Sequence, residues 1–302
     1  MILCADIGGT SVKLGLCDRT GALRATAEAS VSFDNYQTPI IDTVTREAKA
    51  FLEQHPCDLE GIGVSATGQV DSRIGAIVGT NGKIANYEGT NVKMRMEEAF
   101  GVPCEVLNDA NAALLGEVFR GGAQNAENVV MLTLGTGVGG GVLVEGHLLT
   151  GHGGIAGEMG HFTLYQNGIP CPCGKTGCYE SYASTTALIR AAEEATGESG
   201  LNGRILFERV QAGDAVLTAV LDHWLDDIAA GITGLVHMFN PELILIGGGV
   251  SRQKEMLLQP LRKRVLGGVM PRFAEGLYVE SAKLGNDAGL IGAAKFYLDA
   301  QV

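Results

Sequence analysis

"MILCADIGGTSVKLGLC" runs from Met1 to Cys17, and "NVVMLTLGTGVGGGVLV" from Asn128 to Val144. Each reads as an apolar strand, a glycine turn and a second apolar strand. A third strand, "ALRATAEASV", follows the first pair after the turn "RTGA". "TPIIDTVTREAKAFLEQH" reads as a helix capped by Thr38, with Pro39 in its first turn and Ile41, Val44, Ala48 and Phe51 on one stripe. "LEGIGVSATGQVD" reads as a buried strand ending in a loop, and "NVKMRMEEAFG" as a helix between Asn and Gly. "CEVLND" is a strand and "ANAALLGEVFRG" a helix.

After the second glycine turn comes a long core helix, "DAVLTAVLDHWLDDIAAGITGLVHMF". Leu217, Leu221, Leu225, Ile228, Ile232, Leu235 and Phe239 share its inner face, which makes His223 and His237 structural. The polar run from Glu194 to Gly203 reads as loop. A strand "ELILIGGG", a helix from about Gln253, a strand "LYVES" and a helix from about Ala288 complete the chain. A pattern that restarts midway predicts an internally duplicated α/β protein.

A chain of 302 residues has room for two domains, and 46% hydrophobic residues supply a large core. No apolar run reaches bilayer length and no leader precedes the first strand, so a cytoplasmic protein without a membrane partner is expected. The formal charge of −12 repels a phosphate backbone and argues against nucleic acid as a partner. The 44 glycines gather in "IGGT", "GTGVGGG", "GHGGIAG" and "IGGGVS" and are not spread as in a linker. Glycine clusters after strands bring backbone close to a ligand.

Seven cysteines cannot all pair within the chain. Cys4, Cys17, Cys57 and Cys104 stand singly in apolar surroundings and read as small buried hydrophobes. Cys171, Cys173 and Cys178 crowd into "CPCGKTGC", with His161 ten residues before the first. Three thiolates and an imidazole make a closed tetrahedral zinc shell, structural because no position is left for water. The alternative is a set of exposed loop thiols, which oxidise.

The glycine turns have a chemical reading too. A turn without side chains lets backbone N–H groups face phosphate oxygens. "DIGGTSVK" adds Asp6, Thr10 and Lys13 to Gly8 and Gly9, groups suited to magnesium and phosphate. "LGTGVGGG" offers Gly135, Thr136 and Gly137. Neither is a G-x-x-x-x-G-K-[ST] loop, and neither runs directly into a helix as a dinucleotide fingerprint does. With Gly247, Gly248 and Gly249 of "IGGGVS", they resemble the phosphate and adenosine elements of the actin–hexokinase superfamily.

Within that superfamily the chain is similar to the ROK family of bacterial sugar kinases and repressors. The likeness rests on "DIGGTSVKLG", "GVSATGQVD", "LNDANAALLGE", "LTLGTGVGGG", "GEMGH", "CPCGKTGCYES" and "LILIGGGVS", in the family's order over nearly the whole chain. Thr67-Gly68 departs from the Pro-Gly often found there. The resemblance implies a duplicated actin-like, ribonuclease H-like ATPase fold, two lobes with a cleft between them. Residues 1–110 and 288–302 would form the small lobe and 111–287 the large one. It implies transfer of the γ-phosphate of ATP to the 6-hydroxyl of a hexose, with glucose ranked first. N-acetylmannosamine, N-acetylglucosamine and β-glucosides are the alternatives within the family.

The same resemblance assigns roles to residues. Asp109 would be the catalytic base. Gly68, Asn81, Asn108, Asp109, Glu158, His161 and Glu180 would hold the sugar. Asp6, Gly8, Gly9, Thr10, Lys13, Gly135, Thr136, Gly137 and Gly247–Gly249 would hold ATP and Mg2+. Structural zinc on His161, Cys171, Cys173 and Cys178 would fix the sugar loop, and a homodimer is the usual assembly. For Asn108-Asp109 the alternative is a helix cap; for Glu158 and Glu180 it is plain solvation. A repressor would need a helix-turn-helix ahead of the hairpin, where a start at Asp6 leaves no room. A sugar sensor without catalysis is the remaining alternative.

Overall fold

The computed structural model describes residues 1–80 and 84–301. The chain forms two compact units: Met1–Asn125 with Leu148–Gly157 and Lys283–Val302, and Ala126–His147 with Glu158–Ala282.

In the first unit, β1 (Ile2–Ile7), β2 (Ser11–Cys17) and β3 (Leu23–Ser30) form an antiparallel meander. Helix α1 (Ile40–Gln54) then leads to β4 (Gly61–Ala66), parallel to β1. After the hairpin β5 (Gln69–Asp71) and β6 (Ala76–Gly79), helix α2 (Val92–Phe100) leads to β7 (Cys104–Asn108), giving the order β3-β2-β1-β4-β7. Antiparallel strands join through tight turns, whereas parallel strands need these longer crossovers. Strand β1 is covered on both faces, which is why it is almost wholly apolar. Leu3, Ala5 and Ile7 pack with Ile41, Val44, Ala48 and Phe51 of α1. Ile2 and Cys4 pack with Leu290, Ala294 and Tyr297 on the other side.

The second unit repeats the plan. Strands β8 (Val129–Leu134), β9 (Val138–Val144), β10 (His147–Leu148), β11 (Leu243–Gly247) and β12 (Tyr278–Ser281) lie in the order β10-β9-β8-β11-β12. The β8–β9 pair is antiparallel, while β11 runs parallel to β8 and β12. The strand orders correspond position by position, so the duplication read from the sequence is present. Helix α3 (Asp109–Arg120) follows β7, and the second unit holds α4 (Glu180–Ala183), α5 (Thr185–Thr196), α6 (Gly203–Gln211), α7 (Ala215–Phe239), α8 (Gln259–Gly268) and α9 (Pro271–Ala274).

Helix α10 (Ala288–Asp299) returns to the first unit and lies against α3. Glycine lets the two backbones touch: a Cβ on Gly116 would fall 2.3 Å from the Ala288 carbonyl oxygen, and one on Gly292 1.7 Å from that of Ala112. That packing keeps α3 whole within the first unit, whereas a division at residue 110 cuts its first turn. Buried Glu117 of α3 accepts the N–H groups of Lys283 at 2.8 Å, Leu284 at 2.7 Å and Gly122 at 2.6 Å, so its charge is compensated.

Several local expectations are corrected. Thr38 does not cap α1: its N–H and hydroxyl both bond Asp34, and Pro39 occupies the cap without a side-chain bond. Regular α-helix begins at Gln259, because the turns before it are 3-10 and π. The expected loop from Glu194 is shorter, with α5 continuing to Thr196. Cys57 is exposed; Cys4, Cys17 and Cys104 are buried. In α7 the inner stripe is buried as expected, with Phe239 half-buried, and the His237 ring accepts the Met270 N–H at 3.1 Å. No helix among the described residues is long and apolar enough to cross a membrane.

Candidate functional site

The cysteine loop comes together as its spacing predicts. The donor atoms of His161, Cys171, Cys173 and Cys178 all lie within 4.8 Å of one another. Cys171 Sγ is 3.7 Å from His161 Nδ1, and Cys173 Sγ is 3.6 Å from Cys178 Sγ. A tetrahedral zinc shell needs donor separations of roughly 3.5 Å, so three soft sulfurs and one nitrogen fit that ion. The loop sets them locally: Cys171 N–H bonds the Lys175 carbonyl at 2.8 Å and Gly174 N–H that of Cys171 at 3.0 Å. Since Nδ1 faces the sulfurs, Nε2 of His161 remains for other contacts.

The second glycine turn, Gly135–Gly137, joins β8 to β9. Gly135 N–H bonds the Gly137 carbonyl at 3.0 Å and closes it. Glu180 reaches this turn from the first residue of α4, and its Oε2 accepts the Val138 N–H at 2.9 Å. A Cβ on Gly137 would fall 2.3 Å from the same oxygen, so the residue is glycine because of Glu180; its φ is not positive. Gly248 is different. It has φ 86° and a Cβ there would sit 2.1 Å from the Leu134 carbonyl oxygen. The "IGGG" strand end therefore abuts the entry to the second turn. In the first turn, Gly8 N–H bonds the Ser11 carbonyl at 2.9 Å, and the Tyr36 hydroxyl donates to the Gly9 carbonyl at 2.6 Å.

Asp6 is the next-to-last residue of β1, directly opposite Lys13 in the antiparallel register and Ser65 in the parallel one. Burial pushes its carboxyl above the ordinary range, while the Ser65 hydroxyl at 2.6 Å and the Lys13 charge oppose the rise. Asn108 is the cap of α3: its Oδ1 accepts Ala110 N–H at 2.9 Å and Asn111 N–H at 3.3 Å. Its Nδ2 donates to the Gly68 carbonyl at 2.9 Å and so fastens the left-handed Gly68, φ 91°. Asp109 begins the helix, exposed, with Oδ1 accepting Ala110 N–H at 2.8 Å. Asp109 and Asp6 both act on buried Tyr87, whose hydroxyl is pushed up chiefly by burial and then by these two charges.

Glu158 precedes the short turn that carries His161. Water displaced by the surrounding protein pushes its carboxyl up, His161 pulls it down and Glu180 pushes it up again. Glu158, His161 and Glu180 thus gather beside the three cysteines. Asn81 lies outside the described residues.

The sequence did not single out Ser65, Tyr36, Tyr87, Thr185 or Thr186. Their partners lie 22–50 residues or more away, and no periodicity marks a lone hydroxyl. Gly289 was missed as well: a Cβ there would come within 2.8 Å of the Asp6 carboxyl carbon.

The ROK family model matches residues 2–300. A glucokinase of Halalkalibacterium halodurans is 35% identical over 311 residues, covering 95% of this chain and 92% of its own. A β-glucoside kinase of Klebsiella pneumoniae is 32% identical, with 97% of this chain and 94% of its own covered. The crystal structure of a ROK family glucokinase from Streptomyces griseus in complex with glucose and AMPPNP matches with TM-score 0.81 at 31% identity, covering 98% of each chain. From Ile2 nearly to its last residue, then, the chain belongs to the ROK family.

Proposed function

We propose that the chain is an ATP-dependent glucokinase that transfers the γ-phosphate to the 6-hydroxyl of glucose, uses Mg2+ with ATP and assembles as a homodimer. One observation carries the reading: the likeness over 98% of both chains to a kinase structure holding glucose and AMPPNP, in a chain that retains Asp109 and both glycine turns. Phosphoryl transfer asks the protein for positioning, charge neutralisation and a base. Asp109 takes the proton of the sugar hydroxyl. Asn108, Glu158, His161 and Glu180 hold the other hydroxyls, with Gly68 on the loop that borders the ring. Gly8, Gly9, Thr10 and Lys13 meet phosphate at the first turn and Gly135, Thr136 and Gly137 at the second. Asp6 would face the magnesium that accompanies ATP, and Gly247–Gly249 would receive the adenosine.

The β-glucoside kinase relative, at 32% identity, favours a second reading in which a substituted glucose is the acceptor. A few contacts separate such sugars. ADP release measured over glucose, β-glucosides, N-acetylmannosamine and N-acetylglucosamine tests this. Glucose is expected to give the highest kcat/KM, and a higher value for another sugar would reassign the substrate.

Zinc on His161, Cys171, Cys173 and Cys178 belongs to the same proposal. Bound there, it supplies no reactive water and serves to fix the loop bearing Glu158, His161 and Glu180. The purified protein should carry one zinc per chain. Cys173→Ser should lower metal content and weaken sugar binding roughly tenfold, the worth of a hydrogen bond or two held by that loop, with ATP affected less. Fully active protein free of zinc by metal analysis would overturn this part.

A further inference from the structure

Between the metal cluster and the nucleotide turn lies a single short segment of the second unit. It starts at Cys178, a proposed zinc ligand, and passes through Glu180, whose Oε2 holds Val138 N–H. It ends at Thr185 and Thr186, the first two residues of α5. The Gly135 carbonyl accepts both the N–H of Thr185 at 2.9 Å and its hydroxyl at 2.5 Å. The Thr136 carbonyl accepts the Thr186 hydroxyl at 2.8 Å. The segment itself is anchored, since Trp224 Nε1 donates to the Ser184 carbonyl at 3.1 Å and Ser184 caps α5 through Ala187 N–H at 3.1 Å.

Two fixed carbonyls have a geometric consequence. In a planar trans peptide the C=O and the N–H of one unit point in opposite directions. With the Gly135 carbonyl held towards α5, the Thr136 N–H must point away from it. With the Thr136 carbonyl held likewise, the Gly137 N–H points away too. Neither N–H has a hydrogen-bond partner among the described residues, and a Cβ on Gly135 would meet only open space. Successive N–H groups aimed at one open side make a concavity for an anion.

We propose that Thr185 and Thr186 are positioning residues for the second glycine turn, and that the segment 178–186 thereby couples sugar occupancy to nucleotide affinity. The inference rests on the kinase reading of the site. Sugar held by Glu180 steadies the carboxylate that braces Val138 while the threonines brace the two residues before Gly137. The turn is then set for phosphate before the nucleotide arrives. By reciprocity, a bound nucleotide tightens the sugar by the same factor.

Calorimetry with the zinc-loaded full chain tests it, using AMPPNP with and without saturating glucose. In the parent, glucose should tighten AMPPNP about fivefold or more, the lower range of such couplings. Thr185→Val and Thr186→Val should each weaken AMPPNP about three- to tenfold, the worth of one hydrogen bond, and the double variant should bring the coupling towards one. Glucose affinity without nucleotide should stay within about twofold of the parent, because these hydroxyls touch only the turn. Thr185→Ser restores the hydroxyl and should restore AMPPNP affinity. A merely structural threonine would lower the melting temperature and leave AMPPNP affinity and coupling unchanged. Parental AMPPNP affinity in folded valine variants overturns the proposal, as does a parent that binds both ligands without mutual effect. A parent that binds neither ligand overturns the reading of the site, and the proposal with it.

Discussion

Replacing Asp109 with Asn should lower turnover by roughly 10² to 10⁴, the usual cost of removing a general base. The fold should survive. Asn108 already caps α3 through two N–H groups, and an Asn at 109 still accepts Ala110 N–H. The four residues proposed to hold zinc belong to the second unit, so metal content should not change. What is lost is the capacity to accept the proton of the sugar hydroxyl. Sugar affinity by calorimetry should stay near the parent value, since the sugar contacts proposed for Asn108, Glu158, His161 and Glu180 do not pass through Asp109. That combination, low kcat with near-normal sugar binding, marks an interaction made in the transition state. Turnover within a few-fold of the parent would make Asp109 a ligand only and move the search for the base to Glu158.

Gly137→Val should damage both substrates. From the sequence the expected outcome is weaker ATP binding with sugar binding largely kept, because a glycine turn suggests phosphate contact and a positive φ. The structure changes that outcome. The φ of Gly137 is not positive, and its Cβ position lies 2.3 Å from Glu180 Oε2. A valine must displace that carboxylate from Val138 N–H, which it now meets at 2.9 Å. Loss of a charged hydrogen bond corresponds to roughly ten- to hundredfold in an equilibrium constant, so AMPPNP and glucose affinities should both fall by that order. Gly137→Ala should show the same pattern, since the clash is with Cβ itself. Glucose affinity unchanged in a folded variant would remove Glu180 from the sugar site.

The duplication was legible because each half spells strand, glycine turn, strand, and because parallel strands covered on both faces must be apolar throughout. The meeting of His161 with the three cysteines was legible because their spacing confines them to one loop. Contacts made through the fold were not legible. Asp34 takes the hydroxyl that Thr38 would otherwise offer as a cap. Nothing in "YASTTAL" announces that its two threonines bond carbonyls 50 residues earlier. The reason for Gly137 is likewise a tertiary contact, and a turn signal in the sequence cannot tell it from backbone conformation. Of the two readings open for Asn108, the structure shows the cap, and one Nδ2 hydrogen is left for the sugar contact proposed for it.

The most direct measurement is phosphorus NMR of the purified chain with ATP, Mg2+ and glucose. On the kinase proposal, a sugar 6-phosphate resonance grows in step with ADP and fails to form without sugar. ATP left intact while calorimetry shows glucose bound would contradict it, and would make the chain a sugar sensor on a kinase fold.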